Sequence, residues 1–391
     1  MNVPSLDLKA QYRAIRDEIN QRVLEVLASQ NLILGAEVES LEKEIAALSG
    51  VRHGIGVSSG SDALLITLMA MDIGPGDRVI TTPFTFFATA GSIARLGAVP
   101  VFCDIDEKSY NLSPEALKTT LKNLIDRDGD RHVRAVLPVH LYGQCADMDA
   151  IRDIAAEYDL RIIEDACQAV GSEYPSRRGG VKSCAMGNAG ALSFYPTKNL
   201  GGLGDGGMVL TDDAELAGVI RILRVHGESR RYYYDRIGGN FRMDAIQAAG
   251  LRVKLKYLET WQEKRREHAA YYRGKFEELG LLQDGFIEPP AALYEKSGLR
   301  NHHTYHQYVI RTDRRDELLG HLKAKNIGAA VFYPLALHQQ KCFSYLGYKE
   351  GDFPASEKAA REVLSLPIHP ELTVEQQDYI AEAIRDFYRP I

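Results

Sequence analysis

From Gly54 onward, short apolar runs alternate with stretches of helical periodicity, and few folds accommodate that alternation. His53 to Val57 reads as a strand, Asp62 to Met71 as a helix, Arg78 to Thr81 as a strand, Thr85 to Leu96 as a helix and Val99 to Cys103 as a strand. A strand over Val133 to Val139, a helix over Met148 to Tyr158 and a strand over Arg161 to Glu164 continue the series. Helices interposed between apolar strands imply an α/β fold with a mostly parallel sheet covered on both faces. Ligands of such sheets bind outside the carboxyl ends of the strands, so the residues that follow each strand are the functional candidates.

Around Arg242 the pattern changes to one long helical stretch from Asp244 to about Leu279. Beyond Gly285 a second alternation begins: His306 to Ile310 as strand, Asp313 to Lys325 as helix, Ala329 to Phe332 as strand and Val374 to Phe387 as a closing helix. A single core stops growing at roughly 250 to 300 residues, so a chain of 391 residues divides naturally in two. The expected division is an N-terminal segment and large domain over 1–242, then a connecting helix and small α/β domain over 243–391. Residues 1–48 read as two amphipathic helices joined near Gly35.

Composition narrows the function classes. A net charge of −6 argues against a nucleic-acid partner, because that binding needs Lys and Arg to neutralise phosphates. Asp7, Lys9, Arg13, Arg16, Asp17 and Glu18 leave no room for the apolar core of a signal peptide. No apolar run approaches the roughly 20 residues that cross a bilayer, so a cytoplasmic protein without a membrane partner is expected. The five cysteines are odd in number and scattered, which suits reduced thiols rather than a disulfide framework. His302, His303 and His306 lack an acidic partner, and strand spacing sets the first two on opposite faces, so no metal is expected there.

Three segments carry chemistry. In Ala189-Gly-Ala-Leu-Ser-Phe-Tyr-Pro-Thr-Lys198, followed by a glycine-rich run to Gly207, a lysine sits in a close-packed loop after an apolar strand. Partial desolvation there lowers an amine's basicity and suits a Schiff-base nucleophile, although a lone lysine beside glycines is more often an exposed loop residue. The glycine run leads into the strand Met208 to Thr211 instead of opening a helix, which excludes a dinucleotide fingerprint. In Ile162-Ile-Glu-Asp-Ala-Cys-Gln168, Asp165 can meet a protonated pyridine nitrogen, and Gln168 lies on the same side of a following turn. A helix N-cap is the alternative role for Asp165. In Val57-Ser-Ser-Gly-Ser-Asp-Ala63, small residues open a helix whose backbone N–H groups favour a phosphate.

These segments are followed by His226-Gly and Gly238-Gly-Asn-Phe-Arg-Met243. With Pro83-Phe-Thr-Phe-Phe-Ala-Thr89 and Leu366-Pro-Ile-His-Pro370, the sequence resembles the DegT/DnrJ/EryC1/StrS family of sugar aminotransferases over nearly the whole chain. That family lies within the fold type I, aspartate aminotransferase-like enzymes, which use pyridoxal 5′-phosphate. The resemblance implies that Lys198 holds the cofactor covalently and moves a proton between Cα and C4′, that Asp165 keeps the ring nitrogen protonated, and that Gln168 contacts the ring oxygen. It also implies that Phe86 stacks on the ring, with Phe84 and Phe87 as core packing, and that Gly60, Ser61 and Ser193 cradle the phosphate.

Asn240 is similar to an asparagine that reaches the phosphate from the neighbouring subunit, which requires a two-fold homodimer with shared sites. Arg231 and Arg242 are candidates for the donor carboxylate or a diphosphate. Tyr195 is expected to face the sugar, with Tyr333 and His338 lining the same mouth. Phe332 departs from the histidine that many members carry before the Tyr-Pro pair, which removes a polar contact. The implied reaction moves the amino group of L-glutamate to a keto sugar of a nucleoside diphosphate sugar, for amino-sugar or polysaccharide biosynthesis. Tyr195 and Arg230-Arg231 favour a 3-keto over a 4-keto acceptor. A sugar dehydratase of the same family and a non-catalytic regulatory protein are the alternatives.

Overall fold

The computed structural model describes residues 1–127, 129 and 132–390. Two helices, α1 (Leu8–Ser29) and α2 (Ala36–Ser49), precede a seven-stranded sheet. The sheet is built from β1 (His53–Val57), β2 (Arg78–Thr81), β3 (Val99–Phe102), β4 (Val133–Val136), β5 (Arg161–Asp165) and the strands Ala189–Ser193 and Gly207–Thr211. Its order runs β1, Gly207–Thr211, Ala189–Ser193, β5, β4, β2, β3. The five strands from β3 to Ala189–Ser193 are parallel, whereas Gly207–Thr211 runs antiparallel to both of its neighbours. The reversal follows from the glycine-rich connection after Ser193, since only a parallel return needs a crossover helix.

Helix α3 (Gly60–Ala70) is buried almost all round, as an apolar helix inside a layered core should be. Helix α2 instead buries one stripe, Val38, Leu41, Ile45 and Ala46, against Phe194, Leu200, Met208 and Leu210. Glu42 lies on that stripe and is matched: its Oε1 accepts from Arg224 at 2.6 Å and from the Gly56 N–H at 2.7 Å.

The expected helix over Asp244 to Leu279 is two helices, Ala245–Leu255 and Leu258–Glu278, because Lys256 and Tyr257 donate to Val253 and Lys254 in a tighter turn. The first packs Ala248 and Leu251 into the large-domain core, and the second carries Ala269, Tyr272 and Phe276 into the small-domain core. At the other end of the chain, Val3 joins the small domain through backbone bonds to Asn326 and Gly328. Both segments cross the division between 242 and 243 read from the sequence.

The small domain pairs Tyr308–Arg311 antiparallel with Val363–Leu366. The strand expected over Ala329 to Phe332 is reduced to a single bridge between Ala330 and Ser365. Asp104, just after β3, accepts from Ala355 N, Ser356 N and Ser356 Oγ at the start of the helix Pro354–Glu362. A carboxylate at that helix start is favourable, and it fastens the small domain to the carboxyl edge of the sheet. No helix among the described residues is long and apolar enough to cross a membrane.

Candidate active site

Asp165 ends β5 and points its carboxylate into two donors. Thr89 Oγ1 donates to Oδ2 at 2.7 Å and Cys167 N–H donates to Oδ1 at 3.2 Å. Thr89 lies in α4 (Ala88–Arg95), which packs over β2, so two elements far apart in sequence fix one side chain. A turn, not a helix, follows Asp165, so the capping alternative does not apply.

Gln168 is held just as closely. Its Oε1 accepts the Tyr142 N–H at 2.8 Å, which orients the amide and leaves Nε2 to donate to the Tyr333 hydroxyl at 3.0 Å. Nε2 carries a second proton, and burial pushes the Tyr333 phenol up, so both groups present N–H or O–H at neutral pH.

Lys198 follows the Ala189–Ser193 strand in a turn closed by its own N–H on Tyr195 O at 2.8 Å. It keeps some solvent access, but the protein around it is dense enough that desolvation lowers the amine's basicity. The nearby Asp165 carboxylate offsets part of that effect. Burial pushes the Cys167 thiol well up, so it faces Lys198 uncharged.

The start of α3 adjoins this group. Ser59 caps the helix through Asp62 N at 3.0 Å, and Ala63 N bonds Ser59 O, which leaves the N–H groups of Gly60 and Ser61 without helical partners. Gly60 is needed here for space: a Cβ would stand 2.6 Å from Ser193 Cβ and 3.1 Å from Cys167 Sγ. Gly60, Ser193, Cys167, Asp165 and Lys198 thus converge at the carboxyl edge of the sheet, as the parallel topology requires.

The rim is aromatic. Phe86 is 56% exposed and tilted against Tyr333, the residue whose hydroxyl accepts from Gln168, with centroids 6.2 Å apart. Phe84 is core, as expected, whereas Phe87 is half-exposed and packs on Phe343. Tyr195 is 53% exposed. Arg231, on a hairpin formed by Glu228–Arg230 and Tyr233–Tyr234, is exposed and lies over the Tyr232 ring. Asn240 is exposed and bridges Val225. Arg242 pairs by backbone with Val57, beside the α3 start, and its buried Nε has no hydrogen-bond partner.

One residue is not where the sequence put it. His338 is 3% exposed, bonds Glu357 Oε1 at 3.0 Å and packs on Phe353, whose ring also meets Phe102 of β3, so it is buried between the sheet and the small domain rather than in the mouth. Spacing from Tyr333 could not show this, because the short helical turn Leu337–Gln339 swings its ring inward.

Several residues escaped sequence reasoning. Glu164, neighbour of Asp165, is fully buried and accepts from Cys184 N, Met186 N, Gly187 N and His140. Thr89 holds Asp165, and His306 contacts Asn199 Oδ1 at 3.2 Å beside Lys198. A charged residue inside the apolar run Ile162-Ile-Glu was the available signal for the first; for Thr89 and His306 the sequence marked the segment but not what the side chain touches. His303 stacks on Tyr305 at 3.9 Å and accepts its N–H, while His302 faces the Leu299 carbonyl. Among the described residues, no group of three or more His, Cys, Asp or Glu is arranged to hold a metal ion.

A model of the DegT/DnrJ/EryC1/StrS aminotransferase family matches residues 13–385. The chain belongs to that family. It is 49% identical over 389 residues to a protein of Geobacillus stearothermophilus called a pleiotropic regulatory protein, covering 100% of this chain and 99% of that one. It is 40% identical to the UDP-N-acetyl-3-dehydro-alpha-D-glucosamine 3-aminotransferase of Acidithiobacillus ferrooxidans, covering 98% and 97% of the two chains. The crystal structure of S. venezuelae DesV in complex with a ketimine intermediate superposes with a TM-score of 0.90 at 38% identity, covering 100% of this chain and 99% of that one. The family member described here is therefore an aminotransferase with the fold type I architecture, a large domain with a mostly parallel sheet and a smaller C-terminal domain.

Proposed function

We propose that this aminotransferase carries pyridoxal 5′-phosphate on Lys198 and moves the amino group of L-glutamate to a 3-keto sugar of a nucleoside diphosphate sugar. The observation that carries the reading is the convergence of a desolvated Lys198 with the Asp165 carboxylate and the glycine-lined start of α3. The residues fit the cofactor. Gly60, Ser61 and Ser193 would take the phosphate on unpaired N–H groups and a hydroxyl, Asp165 the ring nitrogen, Gln168 the ring oxygen through its spare N–H, and Phe86 the ring face. When bound, the group supplies an electron sink for the donor's Cα.

The chain's own residues do the rest. Lys198, with lowered basicity, is the group that takes and returns a proton. Asp165 is held at both carboxylate oxygens, by the Thr89 hydroxyl and the Cys167 N–H, and Phe86 and Tyr333 line the rim. Arg231 and Arg242 supply cationic forks for the donor carboxylate or the diphosphate, and Tyr195 and Tyr333 face the sugar. Asn240, exposed here, reaches the phosphate of a second copy, so the working unit is a homodimer with shared sites in the cytoplasm. Tyr232, Tyr233, Tyr234 and Ile237, a few residues before it in the chain, are also exposed, and a partner would cover such side chains.

The 3-keto preference draws on Tyr195 and Arg230-Arg231, and on the reaction for which the 40% identical relative is named. The test supplies cofactor-loaded protein with L-glutamate and matched 3-keto and 4-keto nucleotide sugars, and locates the new C–N bond by NMR. Amination at C3 is expected; amination at C4 alone would reverse the preference, and no turnover with any keto sugar would reject the reading. A regulatory role rests on the name of the 49% identical relative. Lys198 beside Asp165, Gln168 and Ser193 has no use in a pure regulator, and a dehydratase needs a histidine where Lys198 stands.

A further inference from the structure

The segment Phe84-Thr85-Phe86-Phe87-Ala88-Thr89 holds more than an aromatic for stacking. Thr85 and Thr89 are both buried, with hydroxyl oxygens 3.1 Å apart, and Thr89 Oγ1 lies 2.7 Å from Asp165 Oδ2. An ionised carboxylate only accepts, so the single Thr89 hydroxyl proton is committed to Asp165. The Thr89 oxygen can then only accept from Thr85. The chain therefore has one direction, Thr85 to Thr89 to Asp165, and a hydroxyl that itself accepts a hydrogen bond is a stronger donor. The Cys167 N–H occupies the other carboxylate oxygen, so Asp165 is held at both oxygens by protein groups.

We propose that Thr89, backed by Thr85, is a positioning residue that fixes the Asp165 carboxylate toward the cofactor ring nitrogen and keeps the proton they share on the nitrogen. The inference rests on the pyridoxal-phosphate reading of the site. A donated bond lowers the carboxylate's affinity for that proton, and withholding it lets the proton move onto Asp165. Because Phe86 lies in the same six residues, one stretch of backbone sets both the ring-face contact and the carboxylate angle.

The test uses the full chain loaded with ring-15N pyridoxal phosphate, in wild type, Thr89→Val, Thr89→Ser and Thr85→Val. At pH 7 the wild-type nitrogen signal is expected at the pyridinium position. In Thr89→Val it moves toward neutral pyridine by about a tenfold change in the proton's distribution, the scale of one hydrogen bond to a charge. kcat falls on the order of tenfold while KM for L-glutamate stays within about twofold, as expected when an interaction specific to the reacting step is lost. Thr89→Ser restores the signal, and Thr85→Val moves it less, in the same direction. If Thr89→Val does not fold, the Thr85→Val and Thr89→Ser results decide. Cofactor uptake with an unmoved nitrogen signal in the valine variants overturns this inference alone. Failure of the wild-type apoprotein to take up cofactor overturns both it and the reading beneath it.

Discussion

Glu164 offers the sharpest quantitative prediction. Its carboxylate is fully buried, with Oε1 accepting Met186 N and Gly187 N at 2.7 Å each, and Oε2 accepting Cys184 N at 2.8 Å and His140 Nε2 at 2.9 Å. His140 Nδ1 accepts Ala146 N–H at 3.1 Å, so the ring proton is on Nε2 and all four contacts are donations into Glu164. Replacing Glu164 with Gln can keep one oxygen against Met186 and Gly187, but it turns an NH2 against two donors. Each buried donor left without an acceptor costs about 1–3 kcal/mol, and a tautomer switch at His140 would only move the loss to Ala146. Allowing for relaxation, Glu164→Gln should destabilise the apoprotein by about 3 kcal/mol, the scale expected for two buried donors left without an acceptor. Urea unfolding at fixed protein concentration measures this, with an unchanged m value as the sign of a pure stability effect. A double-mutant cycle with His140→Phe should show positive coupling. A loss below about 0.5 kcal/mol, the range of ordinary surface substitutions, would refute the reasoning.

Other consequences can be read from single residues. Burial lowers the basicity of Lys198, so the unfolded chain binds its proton more tightly and apoprotein stability rises with pH toward the ordinary amine value of 10.5. Lys198→Met should therefore make the apoprotein more stable at pH 7 while abolishing turnover, with the gap closing toward pH 10.5; a thermal melt series checks both. Burial holds His303 neutral down to about 3, so stability is expected to fall as the unfolded chain protonates from pH 6.5 downward. His303→Asn, which keeps an acceptor for Tyr305 N, should flatten that slope in acid unfolding. Gly60→Ala places a methyl 2.6 Å from Ser193 Cβ, an overpacking cost of about 1–3 kcal/mol, and should weaken cofactor affinity about tenfold in a fluorescence titration.

The legible and illegible parts of this chain divide along physical lines. Strands with contiguous apolar runs, such as His53–Val57 and Arg78–Thr81, were read to the residue because burial on both faces writes itself into composition. The break at Lys256 and the loss of the 329–332 strand were not, since one turn's hydrogen bonding and the absence of a partner strand leave no local mark. The segments around Lys198, Asp165 and Gly60 could be singled out because each stands just after an apolar strand, and the fold brings all three to one edge of the sheet. Thr89 and His140 act through other side chains, and His338 was misplaced because the direction of a ring depends on a turn that spacing cannot express.

The central claim is that Lys198 holds pyridoxal phosphate and gives up its hold to an amino donor. Borohydride reduction of the cofactor-loaded protein, followed by peptide mass mapping, tests it most directly. The account predicts one reduced pyridoxyl phosphate on the peptide carrying Lys198, and its loss when L-glutamate is added before the borohydride. Label on any other lysine, or label on Lys198 that L-glutamate does not prevent, would contradict it.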